Sequence, residues 1–324
     1  MNALIGHEWA LRLVLNGLAA GRVPHATLIV GPPHIGKSTL ARVFAQAIQC
    51  SGPAPLPCGV CTSCRKITSG NHPDVRILDA PGQPLKIDQV RDLQRELSLS
   101  PYEGRWRVVV LCEFERATTE AANALLKTLE EPPSYVALVL TATEADVLLP
   151  TIVSRCQVLW LRALSVVQVK DALVSQWGVE SRKADILSHL CNGRLGWAVN
   201  AVQNPEILAR REEDLEHLLA LPCQSRVERL AYAAALSRDA RQAVDTIALW
   251  MIWWHDVLLL KSGAQVAPCN IDQADSLRKQ AGQVTLSQVH RVAEQVGFIA
   301  RSLDQHVNLR LALEVLLLSW PRPT

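Results

Sequence analysis

The sequence has little tyrosine and phenylalanine, little net charge and no long uninterrupted apolar run. Its 324 residues include three Tyr and three Phe, and its formal net charge is +2. A chain that grips nucleic acid by itself needs a positive field and a stacking platform. A free-standing nucleic-acid-binding module is therefore disfavoured, and any such contact is expected to be local or shared with other chains. No apolar run reaches the roughly 18 residues that span a bilayer. Residues 1–20 carry His7, Glu8 and Arg12 among their apolar positions, which denies them the unbroken core of a signal peptide. The expected setting is the cytoplasm, with no membrane partner. Repeats and low-complexity tracts are also missing; Pro53, Pro55 and Pro57 stiffen a single loop.

What is present describes an ordinary globular chain, 49% hydrophobic and 20% charged, long enough for two or three domains. In the first 160 residues, short apolar runs alternate with helical patterns. The runs are Thr27 to Val30, Val75 to Leu78, Val108 to Leu111 and Val136 to Leu140; helical patterns cover Lys37 to Gln49, Lys86 to Leu97 and Glu120 to Glu130, the last stopped by Pro132-Pro133. This order predicts an α/β domain with a parallel sheet covered on both faces. Beyond Val158 to Leu161 the period is helical to the end. Three short helices fit between 161 and about 205, as a lid, and a helical block follows over 206–324. Trp250, Trp253, Trp254 and Val257 fall at i, i+3, i+4 and i+7, the spacing of a packed core face. Asn308 to Trp320 is apolar on nearly every side and is expected in a core or an interface.

The chemistry concentrates in three places. Gly31-Pro32-Pro33-His34-Ile35-Gly36-Lys37-Ser38 fits G-x-x-x-x-G-K-[ST] between a predicted strand and a predicted helix. Backbone N–H groups there can wrap phosphate oxygens, Lys37 can reach the β and γ phosphates, and Ser38 can ligate magnesium. Gly31, Gly36, Lys37, Ser38 and Thr39 are the candidate ATP-binding residues, joined by Glu113 at the end of Val108-Val109-Val110-Leu111-Cys112-Glu113. An aspartate that anchors magnesium is expected at the position of Cys112; a soft sulfur suits that hard ion poorly, so hydrolysis by this chain is expected to be slow or absent. Of nine cysteines, Cys50, Cys58, Cys61 and Cys64 form C-x7-C-x2-C-x2-C, the donor set of a closed structural zinc site with no position left for catalysis. The others read as core thiols.

The stretch Asn123-Ala124-Leu125-Leu126-Lys127-Thr128-Leu129-Glu130-Glu131-Pro132-Pro133 is followed by Ser154-Arg155-Cys156. With His25, the P-loop, the four cysteines at 50–64 and Asn308-Leu309-Arg310-Leu311-Ala312-Leu313-Glu314, it closely resembles the bacterial clamp-loader AAA+ family of the DNA polymerase III holoenzyme, the γ/τ and δ′ chains. The resemblance implies a RecA-like AAA+ core over 1–160, a helical lid over 161–205 and an all-α collar for oligomerisation over 206–324. It further implies that Arg155 reaches a neighbouring subunit's ATP as an arginine finger in trans. The implied partners are γ/τ motors and δ in a hetero-oligomeric ring, with the sliding clamp and primed DNA reached through the complex.

Within the family the pattern is most similar to δ′. Cys112 stands where a motor carries an aspartate, Gly196, with Arg194 as the nearby alternative, stands where a motor's lid carries an arginine, and the length leaves no room for a τ-like tail. The implied task is to help ATP-dependent opening and loading of the clamp, with little catalysis by this chain itself. An ATP-hydrolysing γ-type motor is the rival within the family. A free-standing P-loop enzyme such as a nucleotide kinase is the rival outside it.

Overall fold

The computed structural model describes residues 4–79, 82–302 and 308–321. The chain divides into two compact units, Met1–Gln168 with Gly193–Trp197, and Val169–Asn192 with Ala198–Thr324. The first unit runs α1 (Glu8–Ala19), β1 (Ala26–Val30), α2 (Lys37–Gln49), α3 (Thr62–Thr68), β2 (Val75–Leu78), α4 (Ile87–Leu97), β3 (Arg107–Leu111), α5 (Thr119–Glu130), β4 (Val136–Ala142), α6 (Pro150–Val153) and β5 (Gln157–Trp160). The strands form one sheet in the order β2-β3-β4-β1-β5, every neighbouring pair parallel. This is the expected α/β core.

Strand residues are apolar almost throughout because both faces are covered. Successive side chains point to opposite faces, and the burial follows that period. Leu28, Val30, Val109, Leu111, Leu138 and Leu140 pack with α4, α5 and α6, whereas Ile29, Val108, Val110, Ala137 and Val139 pack with α1 and α2. Registry carries the motif ends together: Val30 pairs with Ala142 and with Trp160, and Leu111 pairs with Leu140. The carboxyl ends of the central strands therefore meet at one edge, where α/β sheets place their ligands.

Local signals set the helix ends. Gly36 precedes α2 at φ 108°, a conformation that a side chain would strain. Thr118 caps α5 by accepting the Ala121 N–H at 3.2 Å, and Glu131 with Pro132-Pro133 ends it.

The remaining helices are α7 (Val166–Trp177), α8 (Ser181–Leu190), α9 (Leu195–Gln203), α10 (Glu206–Ala220), α11 (Arg226–Leu236), α12 (Ala240–Ser262), α13 (Ala274–Gln283), α14 (Leu286–Ser302) and α15 (Leu309–Leu318). The core of the second unit is built around α12, with Trp250, Trp253, Trp254 and Val257 buried as their spacing predicts. Trp320 meets Trp250 and Trp254 edge-on at 5.2 and 5.3 Å, and Trp253 donates to Gln280 at 2.6 Å. By length and composition α12 is apolar enough to cross a membrane; here its tryptophan face fills a protein core. Arg229, also buried, donates to the carbonyls of Leu317, Trp320 and Pro222, a cation at the negative end of α15. The apolar segment ending at Trp320 is buried on one side, at Leu313, Leu316 and Leu317, and exposed at Leu311, Val315 and Leu318.

Candidate functional site

The P-loop joins β1 to α2, so the N-terminus of α2 faces the carboxyl edge of the sheet. Lys37 is nearly buried and its Nζ donates to the carbonyls of Gly31 at 2.6 Å and Pro32 at 3.0 Å. Burial holds its pKa below the ordinary lysine value, opposed by the charges of Glu115 and Glu113. With Gly31, Gly36, Ser38 and Thr39 it forms the loop and first turn that a phosphate chain would occupy. Cys112 lies one residue past β3, at the same carboxyl edge of the sheet, and burial pushes its thiol up to about 11, against a smaller lowering by the Ser38 hydroxyl. Sulfur thus occupies the place beside Ser38 where a hydrolysing site needs a hard oxygen anion.

Glu113 follows in the left-handed region at φ 50°, donating its N–H to Thr141 Oγ1 at 3.0 Å and pairing with Arg116 at 2.8 Å. Glu115 accepts the Thr143 N–H at 3.2 Å. Neither Glu115 nor Thr141 stands out in the sequence as a site residue. The signal for both is positional, since Glu115 lies two residues beyond Glu113 and Thr141 ends the neighbouring strand. His7, also missed, is buried with its ring Nε2 3.2 Å from the Ile35 carbonyl.

Gly196 has a defined structural reason. Its N–H donates to the His34 carbonyl at 2.9 Å, and a Cβ at 196 would lie 2.7 Å from that oxygen. The backbone of the first turn of α9 rests directly on the P-loop, which leaves no space for a side chain at position 196.

Cys50 ends α2, and Cys58, Cys61 and Cys64 follow through a loop and the start of α3. All four Sγ atoms lie within 4.8 Å of one another, with Cys50 to Cys58 at 3.5 Å and Cys50 to Cys61 at 3.9 Å. Zinc–sulfur bonds of about 2.3 Å demand sulfurs roughly 3.8 Å apart at tetrahedral geometry, so the donors present fit a zinc ion. The N–H groups of Cys58, Cys61 and Cys64 point at the sulfurs of Cys50, Cys58 and Cys61 at 3.4, 3.3 and 3.5 Å. At Cys61 burial works upward, but donation from the N–H groups of Cys64 and Ser51 prevails and brings the thiol down to about 5. At Cys58 and Cys61 such donors favour the thiolates that a metal needs, whereas burial pushes the thiols of Cys50 and Cys64 up.

Arg155 lies just beyond α6. One guanidinium nitrogen donates to the Thr151 carbonyl at 2.9 Å, and the other pairs with Glu130 at 2.7 Å.

Residues 6–165 match the family described as DNA polymerase III, delta subunit, and residues 205–322 match DNA polymerase III, delta subunit, C terminal. The chain belongs to the DNA polymerase III clamp-loader family. Its similarity to subunit delta′ of Bacillus subtilis (strain 168) is 28% identity over 317 residues, 95% of this chain and 94% of that one. Subunit tau of Escherichia coli (strain K12) is 39% identical over 171 residues, 52% of this chain and 26% of that one. Subunit tau of Salmonella typhimurium is 36% identical over 198 residues, 59% of this chain and 31% of that one. The chain thus spans less than a third of these tau relatives, whereas its alignment with delta′ runs nearly end to end.

Proposed function

We propose that this chain is a δ′-type subunit of the DNA polymerase III clamp loader. It assembles with γ/τ motors and δ in the cytoplasm, helps open the sliding clamp and place it on primed DNA, and hydrolyses little or no ATP itself. The observation that carries this reading is the thiol of Cys112 one residue past β3, at the strand end where a hydrolysing P-loop site needs an acid. The P-loop is intact, but the group beside its serine is a thiol kept protonated by burial, unsuited to holding magnesium. ATP binding through Lys37 is compatible with that; efficient phosphoryl transfer is not.

Zinc, held by Cys50, Cys58, Cys61 and Cys64, would act structurally, tying the end of α2 to α3. With four thiolates it has no open position for substrate. The chain's contribution to chemistry is then Arg155, offered to a neighbour's γ-phosphate, where a planar guanidinium matches spreading charge. Residues 161–205 serve as the lid and 206–324 as the collar through which the ring assembles.

The motor reading draws on the complete Gly36-Lys37-Ser38 sequence and on the 39% identity to tau. Calorimetric titration with ATP and a phosphate-release assay on the purified chain separate the two. Binding with negligible turnover is expected; robust turnover that Lys37→Ala abolishes would make the chain a motor.

A further inference from the structure

The helix that carries the NALLKTLEEPP motif packs through Leu125 and Leu129 and ends at Glu130, a residue with no part in the reading above. An acid in the last turn of a helix is unfavourable, because the macrodipole places negative partial charge there. Glu130 nevertheless occupies that turn, and its carboxylate lies 2.7 Å from Nη2 of Arg155. Nη1 of the same guanidinium donates to the Thr151 carbonyl at 2.9 Å. Both prongs of the fork are therefore engaged within the chain, and a phosphate oxygen pair needs those same N–H groups for bidentate recognition.

We propose that Glu130 is a positioning residue that latches Arg155 against its own subunit, so that the finger reaches the neighbouring ATP only when this ion pair opens. The inference rests on the trans-finger reading of Arg155. The pair is built to be broken: the Glu130 side chain is 50% exposed and that of Arg155 is 35% exposed, and ion pairs at such sites shift a population by a factor of only about 1.4 to 5. The carboxylate thus holds the finger ready and restrains turnover before the ring is fully engaged, without preventing its release.

The test reconstitutes the loader from wild-type motor and δ chains with this chain as wild type, Glu130→Gln, Glu130→Asp, Arg155→Ala, or the Glu130→Gln/Arg155→Ala double variant. ATP turnover is measured without clamp or DNA. Glu130→Gln should raise kcat at the site this chain serves about 1.4- to 5-fold, and the loader's total turnover by less because other sites contribute, with KM for ATP unchanged, because the finger acts on charge developing in the transition state. Glu130→Asp, which keeps the charge, should stay near wild type. The double variant should match Arg155→Ala alone. A lowered rate in Arg155→Ala with an unchanged or lowered rate in Glu130→Gln would overturn the latch and leave the finger. Unchanged rates in both would overturn the finger reading and the latch with it. An effect of Glu130→Gln that persists in the Arg155→Ala background would assign Glu130 to the stability of α5 instead.

Discussion

In the proposed reading, Arg155 is a single side chain that acts on another subunit's ATP. An arginine finger contributes roughly 10³ to 10⁵ in rate at its own site. Arg155→Ala should lower the DNA- and clamp-stimulated ATPase of the assembled loader by less than that, since other chains serve the remaining sites, and should leave zinc content and assembly intact. Arg155→Lys should rescue poorly, because an ammonium keeps the charge and loses the fork. Steady-state turnover of reconstituted complexes checks both, and unchanged rates would make Arg155 an interface cation only. Asp74 carries a different residue-scale expectation. It is 2% exposed and accepts N–H groups from Tyr102, Glu103 and Gly104 at 2.6, 2.7 and 2.8 Å. Burial pushes its carboxyl up, but these three donors together outweigh it and hold the pKa below the ordinary value. A depressed folded pKa stabilises above the unfolded value of about 3.9, and the contribution is lost as pH falls through the folded value. Asp74→Asn should therefore cost about 1.5–3 kcal/mol near neutrality and flatten the acid limb of the stability curve. Denaturant titrations across acidic pH measure it, and a loss that is the same at every pH would contradict the assignment.

The four-cysteine cluster is the element whose geometry and sequence agree most closely. Purified protein should carry about one zinc per chain, and Cys58→Ser should lose it and unfold the 50–64 loop at lower temperature, because metal binding is coupled to folding there. Elemental analysis with thermal unfolding tests this; zinc content unaffected by Cys58→Ser would remove the site. The element boundaries show how far pattern alone reaches. Lys37–Gln49 is helical over the span its pattern predicts, since Gly36 and the apolar spacing define both ends. The strand expected over Val136 to Leu140 instead continues to Ala142, because Thr141 is buried and usefully accepts the Glu113 N–H. Hydropathy sees a hydroxyl residue there as a loop signal; only the neighbouring strand supplies its partner.

At the scale of the whole molecule, a δ′-type subunit should be a component of a defined mixed assembly. Native mass measurement of the chain alone, and mixed with γ/τ-type motors and δ, should give a discrete hetero-oligomer only in the mixture. A chain that never joins the assembly and turns over ATP in isolation would favour the free-standing enzyme. The exposed apolar residues Phe298, Leu311 and Val315 on α14 and α15 agree with a collar that meets other chains. Alanine at Leu311 and Val315 should weaken assembly while leaving the folded chain intact.

The sequence by itself determined the parallel α/β core, the P-loop, the four-cysteine set and the tryptophan stripe. Each is written as a short spacing or a periodicity, and local geometry converts such patterns directly into structure. The pairing of Glu130 with Arg155, the approach of Cys112 to the P-loop side of the sheet, the Thr141 support for Glu113 and the seating of Gly196 on His34 were decided by tertiary structure. Those partners are 25 to 162 residues apart in sequence, and only strand registry and chain return bring them within reach. Short-range patterns encode what a residue can do; which residue it does it with depends on the folded sheet.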